Sequence, residues 1–343
     1  MSAPDLPIVL YHYVFSPVAR RIVWYLNLRN IPYSQCMQPN ILPRPDVALL
    51  GIAYRRIPIL SIGRDVYLDS RLIISKLEQL YPPSASHPSI SASTGDQKAI
   101  ERLLEFFMMD SGIFRAAGTS LPPTLPIMKN PAFLKDRAEF SGGALGSGGK
   151  PIIEKAARRP TNITEVRDAV ALLESSVLAD GREWVLGTPG PMLADIEAIW
   201  VIKWIATIPG ALPEEFISAK LFPRVYAWME RFTKVVNAKE KEHAPEKVNG
   251  EQAAERIFGA AFAEAEGTVD EGEIIGKALG LKKGDGVTVF PIDTGVNHKE
   301  TGRLLSLNSK EMVVEVQGKK GIVRVHAPRH GFTISKIAEK ASL

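Results

Sequence analysis

Arg56-Ile57-Pro58-Ile59-Leu60 is a strand-like run with a proline near its start, and that proline constrains the fold more than any other residue. A proline cannot donate to a sheet ladder, so it must stand at an edge, at a bulge or after a cis bond. Its flanks narrow the architecture further. Ser61 to Asp65 makes a tight turn, and Val66-Tyr67-Leu68 returns as a hairpin partner. Asp69-Ser70 then caps a helix with Leu72, Ile73, Leu77 and Leu80 on its apolar face, and Tyr81-Pro82-Pro83 ends it. Upstream, residues 7–14 are β-branched and aromatic and read as a strand. Ser16-Pro17 supplies a favoured N-cap and first helical residue, with Ile22, Val23 and Leu26 at helical spacing up to the stop at Asn30-Ile31-Pro32. Tyr33 to Met37 fits a second strand, while 38–54 is proline-rich and shows no clear period. The first 83 residues thus run strand, helix, strand, loop, two strands, helix.

The pattern then changes twice. After a Ser/Pro-rich linker at 84–97, long amphipathic helical patterns occupy 97–114, 162–178, 193–207 and 223–239. Between the first two lies 118–151, rich in Pro, Gly and Ser, which reads as a flexible insertion. Its SGGALGSGGKP run is not a phosphate loop, because Lys150 is followed by Pro151 rather than Ser or Thr. Beyond Pro245, a helix is expected over 251–266, followed by short strands at 286–291, 302–307, 312–316 and 321–326. Their spacing of about ten residues suggests a small antiparallel barrel or sandwich. The expected domains are 1–83, 97–242 and 245–343. On that division, a chain cut after His243 should keep two folded domains.

Composition excludes several classes. A single cysteine, Cys36, forbids an intramolecular disulfide framework and any cysteine-cluster zinc site. His326 and His330 are the only close histidine pair and have no carboxylate near them in sequence, a poor metal signal, so no metal is expected and both read as tail surface or packing. No apolar run reaches about 18 residues, and the N-terminus has no basic-then-apolar leader, so a cytoplasmic location is expected. The formal net charge is +4, and residues 1–85 hold nine Lys/Arg against five Asp/Glu. The excess is scattered over Arg20, Arg21, Arg44, Arg55, Arg56, Arg64 and Arg71 and forms no tract. That distribution suits a small anionic ligand or a solvated surface better than a nucleic acid.

Three segments resemble the glutathione transferase family. LYHYVFSPVARRIVWYLNLRNIPY at 10–33 is similar to its first strand, the loop bearing the thiol-activating residue, and a helix ending in an I-P-y phrase. RRIPIL at 55–60, with LDSRLIISKLEQLYP at 68–82, is similar to its V-P-x-L strand and acidic-Ser helix start. LADIEAIWVIKW at 193–204 resembles the core helix of its C-terminal domain, with Met192 where the family has a Ser or Thr cap. The resemblance implies an α+β, multi-domain chain: a thioredoxin-like N-terminal domain, an all-α C-terminal domain, and a small β-rich extension of a kind seen on some fungal relatives.

It also implies a cofactor, glutathione, and roles for particular residues. Ile57 before Pro58 would pair its main chain with the cysteinyl unit. Asp69 and Ser70, at a helix N-terminus, would meet the γ-glutamyl carboxylate and amine, or serve only as a cap. Arg56, with Arg55 and Arg71, would supply charge to a ligand carboxylate. The hydroxyl of the tyrosine classes aligns with Phe15, which has none. That leaves Ser16 to donate to the thiolate, or merely to cap its helix, with Tyr13 in reserve. Cys36 reads as a small buried hydrophobe. The cluster Phe106, Phe107, Met108, Met109 and Phe114 would line a site for the second substrate, or be core.

The function expected from this resemblance is addition of the glutathione thiolate to a hydrophobic electrophile, as conjugation or as glutathione-dependent isomerisation, by a homodimer with neither nucleic-acid nor membrane partners. The alternative is a non-enzymatic glutathione-binding or dimerisation protein that uses the same fold.

Overall fold

The computed structural model describes residues 5–141 and 152–337. Strand β1 (Ile8–His12), helix α1 (Pro17–Leu28), β2 (Ser34–Met37), the single turn α2 (Pro45–Ala48), the hairpin β3 (Ile59–Ile62) and β4 (Asp65–Leu68), and α3 (Ser70–Leu80) follow the order expected from the sequence. β1 pairs with β2 in parallel and with β3 antiparallel. The helical region holds α4 (Gly95–Asp110), α5 (Ile113–Thr119), α6 (Pro131–Ser141), α7 (Ile152–Leu172), α8 (Leu193–Ala206) and α9 (Pro223–Glu242). Within the 118–151 segment, expected to be flexible, α6 is regular helix; its glycine-rich stretch at 142–151 falls outside the described residues. α7 begins ten residues before the expected start and carries Pro160 inside it.

Residues 245–337 differ most from expectation. The helix α10 is shorter than predicted, Gly250–Phe258, and a second short helix, α11 (Ile274–Leu279), follows. The strands β5 (Glu246–Val248), β6 (Gly286–Pro291), β7 (Glu300–Leu307), β8 (Glu311–Gln317), β9 (Ile322–Pro328) and β10 (Phe332–Lys336) do not close into a barrel or stack as a sandwich. They join the N-terminal strands in one ten-stranded sheet, ordered β10-β6-β7-β8-β9-β4-β3-β1-β2-β5. β9 lies parallel to β4, with Val66 beside Val325 and Tyr67 beside His326, and β5 lies parallel to β2 at the other end. Both free edges of the four-stranded N-terminal sheet are thus paired by the C-terminal extension, which removes exposed ladder groups.

β1, β3 and β4 are buried on both faces, and the period-2 alternation of the strands sorts the core. Ile8 and Leu10 of β1, with Leu60 and Ile62 of β3, face the core shared with α1, α3 and the helical region, where Trp200, Trp228 and Phe232 are fully buried. Val9, Tyr11, Ile59, Val66 and Leu68 face the opposite way. α2 is only one turn long and cannot cover that face alone. α10 supplies Ala253, Ala254, Ile257 and Phe258 beside Val47 and Leu50, and the inward residues of β6 to β10 continue the same core. α10 approaches α2 so closely that a Cβ on Gly250 would stand 2.1 Å from Asp46 Oδ1.

Buried ionic groups reinforce both junctions. Arg21 of α1, fully buried, binds the Glu197 carboxylate of α8 through Nη2 and donates from Nη1 to Ser70 Oγ at 2.6 Å. At the β4–β9 joint, His326 is neither surface nor lacking carboxylates. It is 3% exposed, with Asp65 at 3.0 Å from Nε2 and Glu311 at 3.0 Å from Nδ1. Lys76 of α3 reaches Glu264 and Glu311, each at 2.6 Å. α8 has no hydroxyl cap; Asp195, in its first turn, accepts through its carboxylate from the Met192 and Val185 N–H groups and from Trp228 Nε1. None of the helices among the described residues is long and apolar enough to cross a membrane.

Candidate functional site at the end of the N-terminal sheet

Strand register brings the predicted residues to one place. Tyr11 of β1 is opposite Ile59 of β3, and Ile59 is opposite Leu68 of β4. The next positions along each strand, Tyr13 to Ser16, Ile57-Pro58 and Asp69-Ser70, therefore all leave the sheet at the same end. α1 and α3 begin there too, and their first-turn N–H groups make that end electropositive. The Ile57–Pro58 bond is cis, one of the three conformations the sequence allowed.

Asp69 is the most unusual residue of the group. It caps α3, with Oδ1 accepting from the Arg71 N–H at 2.9 Å, and holds φ +67°, ψ 134°, a conformation that side-chain-bearing residues rarely adopt. Its neighbour Ser70 is fully buried and its hydroxyl is engaged by Arg21. Ser16 is 2% exposed, and its Oγ accepts from the Ala19 N–H at 3.2 Å, so it caps α1. Tyr13 is half-buried, with the Arg44 guanidinium 5.8 Å from its ring centre. Phe15 is 81% exposed and projects from the same loop.

The three arginines expected to meet ligand carboxylates are each engaged within the chain. Arg55 is buried between Asp136 and Glu139 of α6, with its guanidinium 4.9 Å from the Phe140 ring centre. Arg56 binds Asp293 and donates to the Thr294 carbonyl from Nε at 3.0 Å and from Nη2 at 2.6 Å. Arg71 bridges Glu105 and Asp110 of α4, each at 2.6 Å. In the aromatic cluster, Met108 is fully buried, and Phe114 packs on Trp200 and Trp204 at 4.8 and 5.8 Å, so these two are core. Phe106 faces the Arg71 side, 5.7 Å from the His330 ring. Cys36 is buried near Asp46, and burial first, then that carboxylate, pushes its thiol up to about 12.

Sequence reading missed the contributions of the extension. Glu300, 2% exposed, accepts from the Tyr54 and Ala53 N–H groups, and burial pushes its carboxyl up to about 7. No local pattern marks such a residue, since a glutamate opening a strand is ordinarily at the surface. Burial likewise pushes Asp195 up to about 6. Glu311 goes the other way, to about 2, because its bonds to His326 and Lys76 outweigh burial; those to Asp65 and Glu311 raise His326 against the same opposing effect. A carboxyl raised on folding keeps its proton longer in the native state, so stability falls as pH rises from about 4.5 to 7 for Glu300 and from about 4 to 6 for Asp195. The raised His326 loses its contribution above about 6.5 as pH climbs through its folded value, and Glu311 loses its own as pH drops from about 4.5 towards 2. Thermal melts should thus be highest near pH 5 and decline towards pH 8. Glu300→Gln should remove part of that decline, on the order of 3 kcal/mol; a midpoint that rises between pH 5 and 8 contradicts this.

Comparison with known proteins bears on the fold. Residues 10–85 match the family model of the glutathione S-transferase N-terminal domain. The fold is that of a glutathione-transferase-like protein. A GST-like protein from Pseudomonas syringae superposes with a TM-score of 0.64 at 22% identity, over 98% of this chain and 100% of that one. The superposition takes in the extension as well as the two regions before it. A tau-class glutathione S-transferase from mango has a TM-score of 0.49 at 19% identity, over 73% of this chain and 96% of its own. A theta-class enzyme from Xanthomonas axonopodis with glutathione bound has a TM-score of 0.44 at 15% identity, over 71% and 98%. Residues 116–241 match a domain of unknown function, DUF7962. No curated protein matches in sequence. Among the described residues of this glutathione-transferase-like chain, no group of three His, Cys, Asp or Glu side chains is placed to hold a metal.

Proposed function

We propose that the chain binds glutathione at the sheet end formed by Ile57, Pro58, Asp69 and Ser70 and adds its thiolate to a hydrophobic electrophile. The observation that carries the reading is Asp69. A non-glycine residue at φ +67° costs of order 1–3 kcal/mol, and such positions concentrate at ligand-binding sites. Here it sits at a helix N-terminus, opposite Pro58 when the Ile59–Leu68 register is carried one step further. The γ-glutamyl carboxylate would lie on the first-turn N–H groups of α3 and its ammonium against the Asp69 carboxylate, while the main chain of Ile57 pairs with the cysteinyl unit. A thiolate at the start of α1 would gain from that helix's positive end, with the Ser16 hydroxyl proton or the Tyr13 phenol as donor. Attack on an electrophilic carbon then gives a conjugate, or an isomer if the thiolate is later expelled. A cytoplasmic homodimer goes with this reading.

A second reading, glutathione binding without turnover, is favoured by Phe15 at the position of the missing hydroxyl and by the burial of Ser16. Calorimetry with glutathione tests the site. Asp69→Ala should weaken binding by about 1–3 kcal/mol, the scale of a lost charged hydrogen bond; an unchanged dissociation constant would reduce Asp69 to a helix cap. Turnover of an electrophile panel by Ser16→Ala and Tyr13→Phe then separates enzyme from binder: a loss in one variant identifies the thiolate donor, and a panel inert even to wild type supports the second reading.

A further inference from the structure

We propose that residues 293–300 of the extension are a working part of the glutathione site, holding Tyr54 to Arg56 so that Ile57 and Pro58 meet the ligand, with Glu300 as the positioning residue. The proposal rests on the reading of the site given above. Residues 52–58 form neither helix nor strand, so their backbone groups need partners from elsewhere. The extension meets the segment one residue after another, through its backbone at the first two residues and through side chains at the next. Glu300 takes the N–H groups of Ala53 and Tyr54. Phe332 stacks on the Tyr54 ring at 5.8 Å. Gly295, at φ +67°, lies so close to Arg55 that a Cβ there would stand 3.0 Å from Arg55 Cγ. Asp293 and the Thr294 carbonyl hold Arg56. The next residue in the chain is Ile57.

The same loop is braced from outside by α6, through Gly295 N–H to the Phe140 carbonyl at 2.9 Å and His298 to Glu139 at 3.1 Å. Glu300 is the most informative member. Among the described residues no cation pairs with it, although burying a carboxyl is unfavourable unless its hydrogen bonds compensate. An apolar side chain would fill the space at lower cost, but only an acceptor can fix two adjacent N–H groups of an irregular segment.

Glutathione titration of the full-length protein tests this. Glu300→Ala should raise the dissociation constant about tenfold or more, whereas Glu300→Gln, whose amide oxygen can still accept from both N–H groups, should stay within about threefold of wild type. Asp293→Ala, at an exposed side chain, should weaken binding by about threefold by loosening Arg56, which would then be held by the Thr294 carbonyl alone. Wild-type affinity in both alanine variants, tighter binding by Asp293→Ala, or equal losses in Glu300→Ala and Glu300→Gln would each overturn the proposal while leaving the site reading intact. Absence of binding by the wild type would overturn the site reading and this proposal with it.

Discussion

A chain ending at His243 is expected to be insoluble, or to lack a cooperative unfolding transition, despite containing both regions that the fold shares with glutathione transferases. The cut strips β9 from β4 and β5 from β2, leaving two bare strand edges. It uncovers one whole face of the N-terminal sheet, because α2 is a single turn and Val9, Tyr11, Ile59, Val66 and Leu68 lose α10 and the extension strands. It also leaves Asp65, fully buried, without His326, and Lys76 without either of its carboxylates. Each of those groups costs several kcal/mol if it stays dry and unpaired. Reading residues 245–343 as a separate module implies that the same cut is harmless. Soluble yield, size-exclusion profile and a thermal melt of the fragment decide between the two, and a soluble fragment with a sharp transition would mean that the first 243 residues close their own core.

Arg21→Met should destabilise the full-length protein by about 3–5 kcal/mol, the cost of stranding one member of a buried ion pair. Glu197 is 2% exposed and would be left charged between α1 and α8 with no guanidinium to meet it, and Ser70 would lose the donor on its hydroxyl. Burial favours the protonated form of Glu197, and the Arg21 guanidinium holds it back, so the variant's remaining carboxyl should take up a proton more readily. The companion change Glu197→Leu should recover most of the loss, since well-packed apolar pairs commonly replace buried ion pairs without penalty. Urea denaturation of the single and double variants measures this. A single-variant loss under about 1 kcal/mol, the range of exposed pairs, would show that the bridge between the two regions contributes little.

What could be read from the sequence was whatever leaves a local trace. Ser16-Pro17 and Asp69-Ser70 announce helix starts because capping acts over three or four residues, and Pro58 announces an irregular bond because proline has no N–H to give. Alternation in β1 and β3 is blurred because both faces are covered, so those strands read as continuous apolar runs. The union of β4 with β9 left no trace, since pairing across more than 250 residues has no spacing rule, and Val66 and Val325 would look the same in two unconnected sheets. The site divided along the same line. Its inner residues, Ile57, Pro58, Asp69 and Ser70, belong to local motifs; the groups that hold its arginines, Asp136, Glu139 and Asp293, belong to distant ones. Of the two readings open for His326, surface or packing, the second holds, and the sequence could not choose because the carboxylates that hydrogen-bond it come from other strands.

The parallel pairing of β4 with β9 also bears on how the protein is made. Residues 65–68 leave the ribosome long before residues 322–328 exist, and at roughly 5–20 residues per second the interval is on the order of tens of seconds. Throughout it, the nascent N-terminal sheet has an unpaired edge strand and an apolar face without its cover, a state open to chaperones and to neighbouring chains alike. The N-terminal sheet is therefore finished only after the extension that follows it has been made, and mutations in β9 or α10 should be felt first as lost yield in the cell.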